Sequence, residues 1–417
     1  MFYVEKMEHH QLFEISLGVL LNKIRFMALF LSRLVKPALV RRSSSVSLLL
    51  SNGFSTSLRQ TPPCAIIGAT YCGNDIGRLI VSYANEPRSC NQLEKRVPVE
   101  LVYPQLFNDG KTQTIGASYG WIATLNKDDG ILRLQDDLNL LASDTDPKRI
   151  QLPPLVTMPH CQTKIITNVS MSSSSPEDFI VAVKFSGPQL SFCRPADSKN
   201  EWVNIRIDNP CFHSSRVMFS KKDDVFHLLG SGGLEIASVG FCTKSVVVRW
   251  YKKTKSGIAK MKTKALKLFK LDEEEGNGDE LLLSAADLNF LDSCCKSEHL
   301  VESPTGDTFL VEQYKKKIVE EEGVARLKTV VLMVYKVDDE GNTVYIQDMG
   351  DLTMFLSNSE PFCVPSSSFP GLRRNYIHLL DVDEVVGADV AHIPFSMISV
   401  GGSFSTPYYF PPQDIHN

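Results

Sequence analysis

Short apolar runs, separated by clusters of Gly, Pro, Asn and Asp, recur along the chain after about residue 75. The clearest example is the run 120–125, which is followed by the polar run 126–130 and then by the apolar alternation of 131–134. This order predicts two antiparallel strands joined by a tight turn. The pattern recurs as hairpins or single strands at 179–193, 225–236, 308–311, 329–335 and, as the last clear strand, 376–380.

The spacing of these hairpins predicts a repeat. The first three begin near residues 121, 179 and 225, roughly 45–60 residues apart, which is close to the length of one propeller blade. A hairpin cannot bury one of its faces alone, so each must stack on a neighbour. We therefore expect an all-β fold, a β-propeller-like repeat of short antiparallel hairpins with six or seven blades. A β-sandwich array is the alternative.

The region before these hairpins has a different composition. No Asp or Glu occurs between Met27 and Asn74, whereas five Lys or Arg and the serine-rich run 43–47 do. A basic, serine-rich segment without acidic residues is typical of an organellar transit peptide. We interpret 27–59 as a disordered transit segment, with a mitochondrial destination and a plastid as the alternative. A disordered basic tail and a secretory signal are the other interpretations.

Residues 1–26 contain three Glu ahead of the acid-free stretch, which is not typical of a presequence. We interpret them as a dispensable extension, or one added by an incorrect gene prediction, with Met27 as the working initiator. The predicted propeller-like domain then covers 75–410. No uninterrupted apolar run reaches the length of a membrane span, so no transmembrane segment is expected.

Charge disfavours nucleic acid as a partner. The 417 residues carry a net charge of −4, and residues 1–59 hold eight of the 44 Lys and Arg but three of the 48 Asp and Glu. Without them 36 basic and 45 acidic residues remain, a net charge of −9. The ten basic residues between Lys244 and Lys270 could form a nucleic-acid patch. A solvated strand face is the other interpretation, because an acidic run follows at 272–280.

Candidate chemistry is sparse. The ten cysteines form no CxxC pair, and they are predicted to be reduced thiols. Cys294, Cys295 and His299 come nearest to metal-ligand spacing, but no second ligand pair accompanies them. The glycine-rich run 230–233 lies between two predicted strands, which indicates a hairpin turn and not a cofactor loop.

No phosphate loop, HExxH or GxSxG motif occurs in the chain. His227 and His378 lie within apolar runs and are predicted to be hydrogen-bonded core histidines. We therefore predict no catalytic, cofactor-binding or metal-binding residues, no cofactor, and a protein that is not an enzyme.

Several segments, taken together, are similar to one known family. The chain resembles the plant domain-of-unknown-function 295 family over about 115–380. The segments that carry the resemblance are 118–125 with its Gly-Trp pair, 149–155 with Leu-Pro-Pro-Leu, 192–195 with Trp202, 300–303 with Leu-Val-Glu-Ser, 348–356, and 368–377 with Phe-Pro-Gly-Leu. The closing segment 408–412 matches only loosely.

The resemblance implies a β-propeller-like domain and supplies no catalytic residues. Many members of that family carry an N-terminal F-box, where this chain has a transit-like segment, so the chain is similar to its organellar branch. The Pro-Pro, Phe-Pro-Gly and Gly-Trp positions are expected to serve the fold, because Pro fixes φ and Gly permits tight turns.

Three functions follow as hypotheses. The first is a non-catalytic interaction module inside an organelle, with an unknown protein partner and an unknown oligomeric state. The second is an F-box-type substrate receptor of a ubiquitin ligase, which would need a helix pair within 1–75. The third is an enzyme with a site in the central channel of the propeller.

Overall fold

The computed structural model describes residues 60–415 apart from 88, 105–110, 160, 162–164, 176, 198–200, 231–234, 243–244, 253–284, 320–324, 339–342, 393–396, 402–403 and 405–406. The described strands form six sheets, five of four strands and one of five. The fold is a β-propeller in which each sheet is one blade, so the predicted all-β class is confirmed. The predicted segments 1–26 and 27–59 lie outside the described residues, as does most of the basic run 244–270.

Blade 1 joins the two ends of the described chain. It contains β1 (Cys64–Gly73), β2 (Ile76–Tyr83), β3 (Asn91–Pro98) and β25 (Tyr409–Phe410), in the order β25-β1-β2-β3. β25 pairs antiparallel with β1, with Cys64 opposite Phe410, and a bridge between Gln60 and Asp414 extends the contact. This pairing closes the ring, and it places the first strand ahead of residue 75, where the sequence placed the start of the domain.

Blades 2 and 3 contain the first two predicted hairpins. Blade 2 consists of β4 (Thr112–Ser118), β5 (Trp121–Asn126), β6 (Ile131–Gln135) and β7 (Arg149–Pro154). Blade 3 consists of β8 (Ile166–Met171), β9 (Val181–Phe185), β10 (Gln189–Cys193) and β11 (Val203–Arg206). A short helix, α1 (Val99–Val102), precedes blade 2. In both blades each strand is antiparallel to the next, as the hairpin pattern predicts.

Blades 4 and 5 follow the same antiparallel plan. Blade 4 consists of β12 (Val217–Ser220), β13 (Val225–Leu229), β14 (Glu235–Cys242) and β15 (Ser245–Lys252). Blade 5 consists of β16 (Cys295–Glu302), β17 (Thr308–Val319), β18 (Ala325–Val337) and β19 (Thr343–Tyr345), and the helix α2 (Ala285–Asp292) precedes it. Of the predicted glycine-rich turn 230–233, residues 231–233 lie outside the described residues.

Blade 6 departs from the simple hairpin plan. It consists of β20 (Leu352–Leu356), β21 (Phe362–Pro365), β22 (Tyr376–Leu380), β23 (Glu384–Asp389) and β24 (Met397–Gly401), in the order β21-β20-β22-β23-β24. β20 and β22 are parallel. The prediction that 376–380 is the last clear strand is wrong, because β23, β24 and β25 follow it. Gly387 breaks the apolar run within β23, and β25 is two residues long, so neither of these two strands forms a clear apolar run.

The blades are held together by apolar faces and by a few buried polar contacts. Trp121 of blade 2 packs on Phe179 of blade 3 with ring centroids 6.0 Å apart, and its indole N–H donates to the Ser174 carbonyl at 3.1 Å. The indole N–H of Trp202 donates to the Pro153 carbonyl at 2.7 Å. The Gly-Trp and Pro-Pro segments therefore serve the fold, as predicted.

The innermost strands of the six blades surround the axis of the propeller. They are β25, β4, β8, β12, β16 and β21, each at one end of the order of its sheet. Contacts run between β4 and β8, β8 and β12, β12 and β16, and β16 and β21. The ends of these strands are the positions at which residues far apart in sequence meet.

Candidate functional site at the propeller axis

A cavity of about 500 Å³ lies at the end of the axis where β4, β12 and β16 terminate. Five of the six blades contribute to its wall, so the cavity depends on the closed ring. Eleven of its 24 lining residues are aromatic or proline: Tyr119, Phe219, Phe362, Phe369, Tyr409, Phe410, Pro304, Pro361, Pro365, Pro411 and Pro412. A concave, largely apolar surface with a few polar groups is the usual form of a binding site.

Glu360 reaches from blade 6 to three other blades. Ser118 Oγ of blade 2 and Ser170 Oγ of blade 3 each donate a hydrogen bond to its carboxylate at 2.5 Å. The backbone N–H of Phe219, in blade 4, donates at 3.2 Å, and the backbone N–H of Met171 donates as well. The Glu360 carboxylate therefore joins blades 2, 3 and 4 around one loop of blade 6, and it accepts four hydrogen bonds from the protein.

The backbone around Glu360 reinforces this crossing. Ser359 forms a parallel bridge with Ala117 of blade 2, and the Glu360 N–H donates to the Ala117 carbonyl at 2.7 Å. Ser359 Oγ donates to the Tyr409 carbonyl of blade 1 at 2.9 Å. The loop between β20 and β21 thus spans the channel, and it forms part of the wall of the cavity.

Burial is the main influence on the Glu360 carboxyl. It raises the pKa, and the hydrogen bonds from Ser118, Ser170 and the two backbone N–H groups lower the pKa without cancelling that effect. The carboxyl therefore binds a proton at a higher pH than an exposed glutamate does. A carboxyl with a perturbed pKa in the wall of a cavity is a feature of functional sites.

Glu302, at the end of β16, connects blade 5 to blade 4. Its carboxylate accepts hydrogen bonds from Ser220 Oγ at 2.5 Å, from the Lys221 N–H at 2.9 Å and from the Lys222 N–H at 3.2 Å. These donors belong to the end of β12 and the turn after it. The second carboxylate of the cavity is therefore also engaged by the protein.

Tyr119 lies in a strained turn at the cavity. With Gly120 it forms the two-residue connection between β4 and β5, where Ser118 pairs with Trp121. The φ angles of Tyr119 and Gly120 are 49° and 85°, the signs that a type I′ turn requires. Asn and Gly favour this conformation, whereas a bulky residue there carries strain of about 1–3 kcal/mol. Such an outlier points to a role for the tyrosine side chain.

The Tyr119 side chain faces three charged groups. The Lys221 ammonium lies 4.8 Å from its ring centroid. Burial raises the pKa of the Tyr119 hydroxyl, and the nearby charges of Glu360 and Glu302 raise it further. The hydroxyl is therefore protonated at neutral pH and is a hydrogen-bond donor, which suits binding better than nucleophilic chemistry.

Two polar groups at the cavity remain available to a ligand. Within the described part of the chain, no residue accepts a hydrogen bond from the Tyr119 hydroxyl, and no carboxylate forms an ion pair with the exposed Lys221. Glu302 and Glu360, by contrast, already accept three and four hydrogen bonds from the protein. The arrangement offers an ammonium and a hydroxyl beside aromatic and proline surface.

Four segments that carry the family resemblance meet at this cavity. Tyr119 and Gly120 come from the Gly-Trp segment, Glu302 from the Leu-Val-Glu-Ser segment, Phe369 from the Phe-Pro-Gly segment, and 409–412 from the closing segment. Sequence reasoning assigned these positions to the fold or left them without a role. It did not identify Glu360 or Lys221. The sequence does show Glu360 next to Pro361, and Lys221 directly after the short run 217–220.

The residues that sequence analysis considered for metal binding lie elsewhere. His299 is buried in β16, its Nε2 is 3.2 Å from Gln313 Oε1, and burial followed by the charge of Arg216 lowers its pKa to about 3. Cys295 is exposed and Cys294 is partly exposed. Across the described ranges, no three or more His, Cys, Asp or Glu side chains are grouped so that they could hold a metal ion.

The two predicted core histidines differ in their surroundings. His227 is half-buried, and its Nε2 lies 3.0 Å from Asp223 Oδ2. His378 stacks flat on Phe355, with centroids 5.0 Å apart, and its Nε2 has no hydrogen-bond partner among the described residues. The prediction of a hydrogen-bonded core histidine is therefore wrong for the His378 Nε2, because stacking and not hydrogen bonding holds that ring.

Fold and site together define a β-propeller whose axis is crossed by a loop and opens into an apolar cavity. Neither described helix has the length and apolar character needed to cross a membrane. Residues 89–403 match the family described as the KIB1-4 beta-propeller. The chain belongs to that family, and the match confirms the predicted β-propeller. A search of curated proteins finds no match.

Solved structures show only a distant likeness. The chain is similar to a putative 6-phosphogluconolactonase from Bacteroides fragilis at 9% identity and a TM-score of 0.35, over 86% of this chain and 100% of that one. It is also similar to the dihydro-heme d1 dehydrogenase NirN in complex with DHE, at 9% identity and a TM-score of 0.29, over 84% and 75% of the two chains. Such scores carry no inference about activity.

Proposed function

We propose that this chain is a non-catalytic protein-interaction module that binds its partner at the axial cavity. The β-propeller fold generally supports protein interaction. The observation that carries the proposal is the pair of polar groups, the Tyr119 hydroxyl and the Lys221 ammonium, beside a wall of aromatic residues and prolines.

The same groups define the chemistry of the partner. An apolar cavity favours an inserted apolar side chain, since burial of apolar area is the main favourable term in association. Lys221 favours a carboxylate next to that side chain, because a charge-assisted hydrogen bond is stronger than a neutral one. The partner is therefore a protein segment with an apolar anchor residue flanked by Asp or Glu.

Neighbouring lysines allow a matched test. Lys221 lines the cavity, whereas Lys222, which is also exposed, does not. Wild type, Lys221→Glu and Lys222→Glu would each be used as bait in extracts of isolated mitochondria. We expect the partner recovered by the wild type to be retained by Lys222→Glu and reduced at least tenfold by Lys221→Glu. Equal recovery by both variants, or no recovery with wild type, would contradict the proposal.

Tyr119 provides a second pair of variants. Tyr119→Asn supplies a residue that suits the type I′ turn but removes the ring, whereas Tyr119→Phe keeps the ring and removes only the hydroxyl. We expect Tyr119→Asn to fold normally and to lose most of the binding, and Tyr119→Phe to lose less. Full binding by Tyr119→Asn would exclude the Tyr119 ring from the contact surface.

The proposed setting is an organelle, with the mitochondrion favoured and the plastid as the alternative. The acid-free, basic and serine-rich segment 27–59 supports import, and the similarity to the organellar branch of the domain-of-unknown-function 295 family supports it further. A fluorescent fusion of the full chain, and one that starts at Met27, should both enter the same organelle. A cytosolic signal from both fusions would contradict import.

An enzyme with a site in the axial channel is the second candidate. The raised pKa of Glu360 in the cavity wall favours it, since catalytic acids are often tuned in this way. The four hydrogen bonds from the protein to that carboxylate favour a structural role instead. A screen of hydrolase substrates that finds turnover in wild type but none in Glu360→Gln, with both proteins folded, would favour the enzyme.

A further inference from the structure

A second cavity lies away from the axis, between blades 1 and 2. Its volume is about 540 Å³, and Arg78, Arg96 and Arg149 are among its lining residues. The three guanidinium groups come from three different strands, β2, β3 and β7. This cavity shares no lining residue with the axial cavity.

Arg78 and Arg96 lie directly opposite each other in the antiparallel pair of β2 and β3. Residues opposite each other in such a pair project from the same face of the sheet, and like charges there repel. The closest carboxylate to Arg78 is that of the exposed Glu94, at 3.6 Å, and no described carboxylate forms an ion pair with Arg96. The repulsion between the two arginines therefore has little internal compensation.

The acidic side chains of the cavity are already engaged. Asp137 accepts two hydrogen bonds from Arg149, from Nη2 at 2.7 Å and from Nε at 3.2 Å. Asp144 forms an ion pair with Lys95 at 3.0 Å and accepts from the Arg96 backbone N–H at 3.1 Å. The guanidinium of Arg96 and the remaining Nη1 of Arg149 are therefore available to an external anion, and Arg78 is paired only with the exposed Glu94 at 3.6 Å.

We propose that this cavity binds a phosphate group carried by a small organic molecule. Guanidinium groups recognise phosphate through paired N–H donors, and three of them around one concavity can surround such a group. The cavity is larger than a phosphate ion and lies within the size range of small-molecule sites. Ile76, Pro98 and Pro147 add apolar surface that can contact the organic part.

Titration calorimetry of the full chain at low salt tests this site. The probes are inorganic phosphate, ribose 5-phosphate and ADP, and the variants are Arg96→Gln and Arg78→Gln. The control is Arg206→Gln, which removes an exposed arginine of blade 3. We expect at least one probe to bind at a single site, with affinity at least tenfold weaker in the first two variants and unchanged in the third. Tighter binding of the organic phosphates than of inorganic phosphate would identify the source of the phosphate group.

Cys72 gives a second readout that does not depend on a variant. It lines this cavity and is exposed, as is Cys295 in blade 5, outside the cavity. A bound phosphate compound should slow alkylation of Cys72 by iodoacetamide and leave Cys295 unchanged, as judged by peptide mass spectrometry. Absence of heat from all three probes, or equal affinity in wild type and Arg96→Gln, would overturn the proposal.

Discussion

Replacing Glu360 should weaken the whole propeller, because its carboxylate joins blades 2, 3 and 4. Glu360→Ala leaves three donors at the axis without their acceptor, those of Ser118, Ser170 and Met171, whereas the Phe219 N–H still donates to Ser170 Oγ at 3.0 Å. At about 1 kcal/mol for each lost hydrogen bond, the free energy of unfolding should fall by about 3 kcal/mol. An exposed glutamate such as Glu201 should change stability by less than about 0.5 kcal/mol when replaced by Ala.

Glu360→Gln should lower the free energy of unfolding by less than Glu360→Ala does, by about 1–2 kcal/mol. The amide oxygen can still accept from Ser170 and Phe219, and the Ser118 hydroxyl can rotate to accept from the amide nitrogen. Urea unfolding at pH 7, followed by tryptophan fluorescence and by circular dichroism, would measure both variants. We expect both variants to unfold at a lower urea midpoint with an unchanged slope.

A double-mutant cycle separates the hydrogen bond from general disruption. Ser118→Ala should cost about 1 kcal/mol in the wild type and almost nothing in Glu360→Ala, because its acceptor is already absent. Strictly additive effects, or an unchanged midpoint in Glu360→Ala, would refute the role assigned to the carboxylate.

The pH dependence has a defined sign. Burial raises the pKa of Glu360 in the folded protein above its ordinary value of 4.5. At pH values between 4.5 and that raised pKa, the folded protein therefore binds more protons than the unfolded chain. The wild type should therefore lose stability relative to Glu360→Gln as the pH rises through that window. Parallel stability curves for the two proteins would contradict this.

Two further predictions concern the fold. Gly371 has φ +94°, and an added Cβ would lie 2.5 Å from the Asn85 carbonyl oxygen, whereas Gly350 has φ +68° and open space. In urea unfolding, Gly371→Ala should therefore lower the free energy of unfolding by at least about 2 kcal/mol, and Gly350→Ala by about 1 kcal/mol. Equal losses in the two variants would contradict the close approach of Gly371 to Asn85. His378→Phe keeps the stacking on Phe355 and removes a buried nitrogen that has no hydrogen-bond partner among the described residues. The melting temperature should therefore not fall. A lower melting temperature would show that the His378 ring forms a hydrogen bond.

Histidine burial also gives an acid-side prediction of opposite sign. Burial lowers the pKa of His378 to about 4, from 6.5, so the unfolded chain binds the extra proton in that window. The wild type should lose stability relative to His378→Phe as the pH falls from 6.5 towards 4. Measurements of urea midpoints at several pH values would reveal the effect, and a constant difference between the two proteins would contradict it.

The sequence predicts the parts of the fold that depend on local signals. The hairpin of Trp121–Asn126 and Ile131–Gln135 combines apolar strands with a polar turn that contains Asn, Asp and Gly, and the structure contains it as predicted. Local patterns of this kind are sufficient because the turn residues and the strand alternation lie within a few positions of each other.

The axial site could not be predicted in the same way. Glu360 lies in the run 357–361, whose Ser, Asn and Pro are typical of an exposed loop, and its partners Ser170 and Ser118 are 190 and 242 residues away. Their meeting depends on closure of the ring by β25, a strand of two residues. Only the closed propeller brings these positions together.

Photo-crosslinking from position 119 tests the binding role of the axial cavity most directly. A benzoylphenylalanine at position 119 would be compared, in isolated organelles, with one at the exposed Ile165 of blade 3. We expect a single adduct of defined mass from position 119 that Lys221→Glu abolishes, and no such adduct from position 165. The same adduct from both positions, or none from position 119, would contradict this binding role.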